Sequence, residues 1–307
     1  MKQSSGKSTK KMQEQTAGVY KRSKKDSLKR FIFGSKDKEG AGKQTVVYLL
    51  LISIGFVYLY PLLYMISKSF MSVDDLLDTS INWLPSALYT ANYTNASKAM
   101  NFWNTFKDSI IVSGVPTLIN MAVCAVVGYG FARYNFRGKK IMMGILLFSF
   151  VIPPQITMMP TYVLYSDIGI LNSLKAFVIP ALLGQGLKSQ LYILVYYQFF
   201  KQVPQALIEA AKIDGAGHFK SFFRIALPSA APAILVVFLF SFVWYWNEAY
   251  LTQLYVVGAF ADSNAWNTLV VSLKTFEDSY NSAASVANSQ MLNINESIKM
   301  AATMLSI

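Results

Sequence analysis

The chain has one cysteine and one histidine in 307 residues. Cys124 alone forms no internal disulfide, and Cys124 with His218 supplies neither a zinc site nor a Cys/His nucleophile pair. No catalytic or metal site is therefore expected on this chain. Charge is scarce as well, with 14% Asp, Glu, Lys and Arg where soluble domains carry about 25%. At 53% hydrophobic, with positive mean hydropathy, the chain cannot hide its apolar surface in one soluble core. A nucleotide motif is missing too. Gly6-Lys7-Ser8 looks like the end of a phosphate loop, but the first glycine of that motif would fall on Met1 and no strand precedes it.

What is present is a series of apolar runs near the length of about 20 residues that a membrane span needs. They fall near 45–67, 109–132, 141–165, 177–200 and 229–257, with a sixth from 297 to 307. The last apolar stretch, Ile298 to Ile307, is interrupted by Lys299 and is about half a span long, so the sixth span reads as truncated. The expected fold is an all-α membrane protein, a helical bundle of six spans with the sixth incomplete. No cleaved signal peptide is expected, because the first apolar run starts after residue 44 and is too long for an h-region.

Charge placement orients the bundle, since cytoplasmic loops near span ends carry excess Lys and Arg. The first 44 residues include Lys21, Arg22, Lys24, Lys25, Lys29 and Arg30. Arg133, Arg137, Lys139 and Lys140 follow the second span, and Lys201, Lys212, Lys220 and Arg224 follow the fourth. The alternate loops hold acids instead, among them Asp74, Asp75, Asp78, Asp262, Glu277 and Asp278. The N-terminus is thus expected in the cytoplasm. Most of the net charge of +12 sits in residues 1–44, which lack periodicity. They read as a basic, disordered cytoplasmic tail touching anionic lipid, rather than as a nucleic-acid site.

Residues 201–228 form a cytoplasmic loop on this orientation. It contains Glu209-Ala210-Ala211-Lys212-Ile213-Asp214-Gly215 and, after nine intervening residues, Ile225-Ala226-Leu227-Pro228. Seven specified residues at fixed offsets arise by chance on the order of once in 10⁸ start positions. Pro204 suits the first turn of a helix and Gly215 the left-handed position past its end. From Ala216 a second helix places Phe219, Phe222, Phe223 and Ile225 at helical spacing, and Pro228 is expected to stop it. The expectation is two short helices joined at a glycine. An amphipathic surface helix without a partner would show the periodicity but not the spacing.

Two further places stand out because charge within a span is costly. Lys188 follows Gly184-Gln185-Gly186, which can split the fourth span in two. Glu248 lies in Trp246-Asn247-Glu248 toward the outer part of the fifth. Those residue types can bind hydroxyls, although a tryptophan at that depth is also the ordinary interface anchor. Pro153-Pro154 should bend the third span, with Gln155 beside them.

The loop resembles the EAA loop of the permease subunits of bacterial ABC importers. Asp108-Ser109-Ile110 through Arg133, Tyr134-Asn135-Phe136-Arg137-Gly138, Pro153-Pro154-Gln155, Asp167-Ile168-Gly169-Ile170-Leu171-Asn172 and Trp246-Asn247-Glu248 extend the likeness toward its carbohydrate branch. It is similar to the maltose/oligosaccharide-type permeases over about residues 45–307. The resemblance implies a multi-pass protein of the bacterial inner membrane that carries sugars or oligosaccharides inward. It also implies a second permease subunit, two ATPase subunits that bind ATP-Mg, and an extracytoplasmic solute-binding protein facing the polar segment 258–295. The coupling residues it implies are Glu209, Ala210, Ala211, Asp214, Gly215, Ala216, Ile225, Leu227 and Pro228. Lys188, Trp246, Asn247, Glu248, Pro153, Pro154 and Gln155 are candidates for the substrate path. A permease of the same architecture for a polyamine or glycerol-phosphate-like solute stays open. A channel would need no such loop, and a membrane enzyme would need a catalytic cluster.

Overall fold

The computed structural model describes residues 34–35, 38–39, 41–78, 80, 83–213, 215–257, 266–286 and 289–306. Most of the basic tail, Asp214 and Asp262 lie outside these residues. Two compact units are distinguished, residues 1–64 and 65–307. In the first, β1 (Gly34–Ser35) pairs antiparallel with β2 (Lys38–Glu39), and helix α1 (Ala41–Ser69) begins. Its apolar side chains, from Val46 to Leu63, are exposed on all faces. A helix apolar all round needs lipid or protein about it.

The second unit is helical throughout its described residues. After α1 come α2 (Val73–Leu77), α3 (Ala91–Ala99) and α4 (Phe102–Arg133). Then follow α5 (Lys139–Val151), α6 (Pro154–Asp167), α7 (Lys175–Leu182), α8 (Ser189–Gln202) and α9 (Gln205–Ile213). Helix α10 (His218–Ser229) contains a π-helical turn at Phe222–Ala226 and leads into α11 (Ala231–Asn247). A short α12 (Ala249–Leu251) and a second π-helical turn at Thr252–Val257 precede α13 (Leu269–Val286) and α14 (Ser289–Ser306). By length and composition α1 and α4 can each cross a membrane. The pairs α5 with α6 and α10 with α11 also qualify if each bent pair is one span.

Several bounds differ from the sequence reading for local reasons. The axis turns by 100° between α5 and α6, where Pro153 is extended and Pro154 occupies the first turn of α6. Helix α10 runs past Pro228 to Ser229 before a bend of 76°, with Pro228 close behind the π-helical turn and Pro232 in the first turn of α11, where proline is tolerated. The polar stretch 258–295 holds an ordered helix, α13, whose Leu269 and Val271 are buried. Its first backbone N–H groups are satisfied from α4: Leu269 N donates to Ser109 Oγ at 2.7 Å and Asn267 N to Asp108 Oδ2 at 3.2 Å. An acidic side chain at that end also complements the helix dipole.

Helix α4 is the axis of the second unit and packs against α7, α8, α11 and α13. Small residues permit the close approach that membrane helices use in place of a hydrophobic drive. On the α10–α11 segment, Ala226, Ala230, Ala233, Val237, Ser241 and Tyr245 recur every three or four residues and are buried. The first four of these meet Cys124 and Ala125 of α4 and Tyr192 and Tyr196 of α8 in one core. A second core joins Val112, Phe177, Tyr245, Tyr255 and Val256. A third joins Ala96 and Met100 beside α3 to Leu269, Ala301 and Ala302.

Helix α2 is fixed by a reciprocal cap. Asp75 N donates to Ser72 Oγ at 3.2 Å, and Ser72 N donates to Asp75 Oδ2 at 3.3 Å. The Ser86 hydroxyl donates to the other carboxylate oxygen. That hydroxyl bond, more than the bonds from Ser72, holds the Asp75 carboxyl below its ordinary value, against the opposing effect of burial. A depressed carboxylate stabilises the fold above the ordinary range and loses that contribution as pH falls through its still lower folded value. The 72–90 segment is therefore expected to become protease-sensitive below about pH 4, and Asp75→Ala to be sensitive already at pH 7. Limited proteolysis across pH 3 to 7 checks this, and equal protection at both extremes would exclude the carboxylate as the clasp.

Candidate coupling segment and span break

The α9–α10 segment is anchored on one side and bare on the other. Ile208 and Ala211 of α9 are buried, while Leu207, Glu209, Ala210 and Ile213 are exposed. Glu209 Oε1 accepts a hydrogen bond from Gln205 Nε2 at 2.8 Å, one turn earlier. Gly215 stands at φ +78°, and Ala216 N donates to Ala211 O at 2.8 Å, closing the end of α9 as a left-handed cap does. Ala216, Ile225 and Leu227 are half-buried, and Pro228 is exposed. Asp214 and the side chain of Lys212 lie outside the described residues.

The anchor comes from the end of α4. The Arg133 guanidinium donates to Val203 O in the turn before α9. The Tyr134 hydroxyl and His218 Nδ1 are 3.2 Å apart, which joins that corner to the start of α10. The Tyr129 ring lies 4.9 Å from Phe222 and 5.3 Å from Phe200. Phe222 and Ala226 are thereby pulled into the core, and the π-helical turn between them is the local adjustment that admits both. Phe219 and Ile213 are left 82% and 86% exposed, on either side of Gly215. The exposed surface is thus tied to the end of α4 through Tyr129, Arg133 and Tyr134. Tyr129 and Arg133 were not singled out for this role by the sequence, because nothing local in α4 marks their contacts.

The fourth apolar run is broken where the glycines stand. Helix α7 ends at Leu182, and Gly184 at φ +74° and Lys188 at φ +57° carry the chain to α8. The break is clamped by buried polar groups. Asn120 Nδ2 donates to Leu187 O at 3.1 Å, and Leu187 N donates to the Tyr245 hydroxyl at 3.0 Å. Ser189 Oγ donates to Asn120 Oδ1 at 2.6 Å, with Cys124 Sγ 3.2 Å from the same oxygen. A Cβ on Gly186 would lie 2.8 Å from the Tyr245 hydroxyl and 3.0 Å from Asn120 Cγ. Irregular backbone within an apolar bundle survives only with such partners. Replacing Asn120 by Leu should cost about 2–3 kcal/mol, because it strands the Leu187 carbonyl and the Ser189 hydroxyl. Thermal unfolding in detergent measures this, and an unchanged midpoint would show that the break needs no clamp.

The other path candidates do not gather into one site. Glu248 Oε1 accepts from Leu251 N at 3.0 Å and so caps α12, a structural task the sequence did not suggest. Trp246 stacks on Phe242 and meets Phe106 edge-on, and Asn247 Nδ2 donates to Val243 O. Pro153, Pro154 and Gln155 are exposed at the α5–α6 bend. Lys188 Nζ lies 4.6 Å from the centre of the Trp244 ring. No group of three or more His, Cys, Asp or Glu side chains is placed to hold a metal ion among the described residues.

Comparison with known proteins agrees with this geometry. Residues 124–271 match the family described as binding-protein-dependent transport system inner membrane component. The chain is 29% identical to the diacetylchitobiose uptake system permease protein NgcG of Streptomyces coelicolor, over 66% of this chain and 66% of that protein. It is 27% identical to the arabinooligosaccharides transport system permease protein AraQ of Halalkalibacterium halodurans, over 78% and 85%. It is also 27% identical to the osmoprotective compounds uptake permease protein GgtD of Synechocystis sp., over 69% and 72%. A solved chain from a bacterial ABC transporter involved in the import of the acidic polysaccharide alginate has the same fold. The TM-score is 0.68 at 18% identity, covering 85% of this chain and 91% of that one. With its exposed two-helix segment and clamped, broken span, the chain is similar to the binding-protein-dependent inner-membrane components, the permease subunits of ABC importers.

Proposed function

We propose that this permease carries saccharides inward, and that the Glu209–Pro228 segment couples it to an ATPase. The observation that carries the coupling role is the bare surface formed by Leu207, Ile213, Phe219 and Phe223 on two short helices tied to α4. Helix α9, nine residues and about 14 Å long, is a lever short enough for a cleft and stiff enough to transmit its closure. Exposed Ala210 allows close approach, and Glu209 offers a charge to a basic partner group. Positive-inside charge supports a cytoplasmic position for this segment and for the N-terminus. A second permease, two ATP-Mg-binding ATPase subunits and an external solute-binding protein complete the assembly. No catalytic step is assigned to this chain.

The saccharide reading rests on relatives such as NgcG and AraQ, whose names specify oligosaccharide uptake. It is tested by ATP-dependent uptake into proteoliposomes holding the whole importer, offered labelled oligosaccharides, a polyamine and glycerol phosphate. Saccharide uptake that needs both ATP and the binding protein is the expected result. Uptake of the polyamine or glycerol phosphate alone would replace it.

A further inference from the structure

Lys188 occupies an unfavourable place in three independent respects. Its backbone is left-handed, a conformation that non-glycine residues adopt at a cost and that recurs where function requires it. Its ammonium precedes the first turn of α8, the end of a helix that repels cations. It also stands next to Leu187, which is bonded to Asn120 near the middle of α4, a helix able to cross the membrane, so it lies at membrane depth. Among the described residues no carboxylate pairs with it. The ammonium is held over the Trp244 ring, and the backbone behind it is fixed by Asn120 and Tyr245.

A cation kept half-buried and aimed by a rigid clamp is arranged to meet an anion. We propose that Lys188 is a specificity-determining residue that selects an acidic saccharide, pairing its ammonium with a sugar carboxylate during passage. This rests on the saccharide reading above and narrows it. The Trp244 ring holds the ammonium at 4.6 Å. The clamp keeps Lys188 at one depth, so an acidic sugar gains a charge-assisted hydrogen bond that a neutral sugar of equal size does not.

The test uses the complete importer with its binding protein in proteoliposomes, offered trigalacturonate and a size-matched neutral galactotriose. The readout is the ratio of their kcat/KM values, with the binding protein's own affinities for the two sugars as reference. The wild type should favour the acidic sugar beyond what the binding protein alone contributes. Lys188→Met should reduce that ratio about tenfold or more, and Lys188→Arg should retain most of it. A ratio unmoved by Lys188→Met, or an equal loss for both sugars, overturns the proposal. The equal loss would indicate that the ammonium pairs with the second permease. Transport of the neutral sugar alone also overturns it while leaving the saccharide reading intact. If neither sugar is moved but a polyamine or glycerol phosphate is, the saccharide reading fails as well.

Discussion

Gly215→Val should abolish ATP-coupled uptake while the protein still inserts and folds. Gly215 is at φ +78°, and a Cβ there would meet nothing within 4 Å, so space is not the obstacle. The backbone is. A β-branched residue in the left-handed region costs about 1–2 kcal/mol, and the chain can escape that cost by turning toward an ordinary conformation. Such a turn lengthens α9, breaks the Ala216 N to Ala211 O bond and re-aims Ile213 relative to Phe219. Because the segment is exposed, global stability should change little. Binding-protein-stimulated ATPase activity should fall to the unstimulated level, with uptake below about a tenth of wild type. Gly215→Asn should retain most activity, since asparagine tolerates this region. Gly217→Ala is the matched control, with φ −65° and open space around its Cα. Normal coupling in Gly215→Val would show that the joint geometry is unimportant.

Gly128→Val should have the largest effect on stability. A Cβ at this position would lie 2.6 Å from Tyr196 Cβ, 3.0 Å from Ile193 O and 3.1 Å from Tyr197 N. None of these atoms is the end of a flexible side chain, so α4 and α8 must separate. Overpacking of this kind costs about 1–3 kcal/mol or more. Separation would also disturb the contacts of Tyr129 with Phe200 and Phe222, which anchor the coupling segment. A fall of about 5 °C or more in the unfolding midpoint is expected, together with reduced assembly into the importer. Gly130→Ala, two residues away with nothing within 4 Å, should be silent. Equal stability of the two variants would mean that the helices do not approach at Gly128.

The two glycines act for different reasons, and the sequence distinguished only one of them. Gly215 was legible because a helix end is a local event, written in the residues on either side of it. Gly128 sits in an apolar run where a small residue has no local meaning. Its importance arises from Tyr196, which is distant in sequence and adjacent in space. Asn120 and Tyr245 were hidden in the same way, since a lone polar residue in a span does not disclose its partner. The glycines before Lys188 did signal the break, because glycine is the residue most at ease in left-handed backbone. Glu248 drew attention through its charge within an apolar run, which did not disclose that its carboxylate caps the helix turn ending three residues on.

By itself, then, the sequence determined the membrane class and the two-helix loop with its glycine joint. Those features depend on composition and on residues near one another, where hydropathy, charge asymmetry and turn chemistry act directly. Only the tertiary structure decided how α4 grips the loop through Tyr129, Arg133 and Tyr134, and how Asn120 and Tyr245 hold the break open. It also decided that the Lys188 ammonium stands over the Trp244 ring. Contacts of that kind are set when distant helices pack, and packing depends on which faces meet.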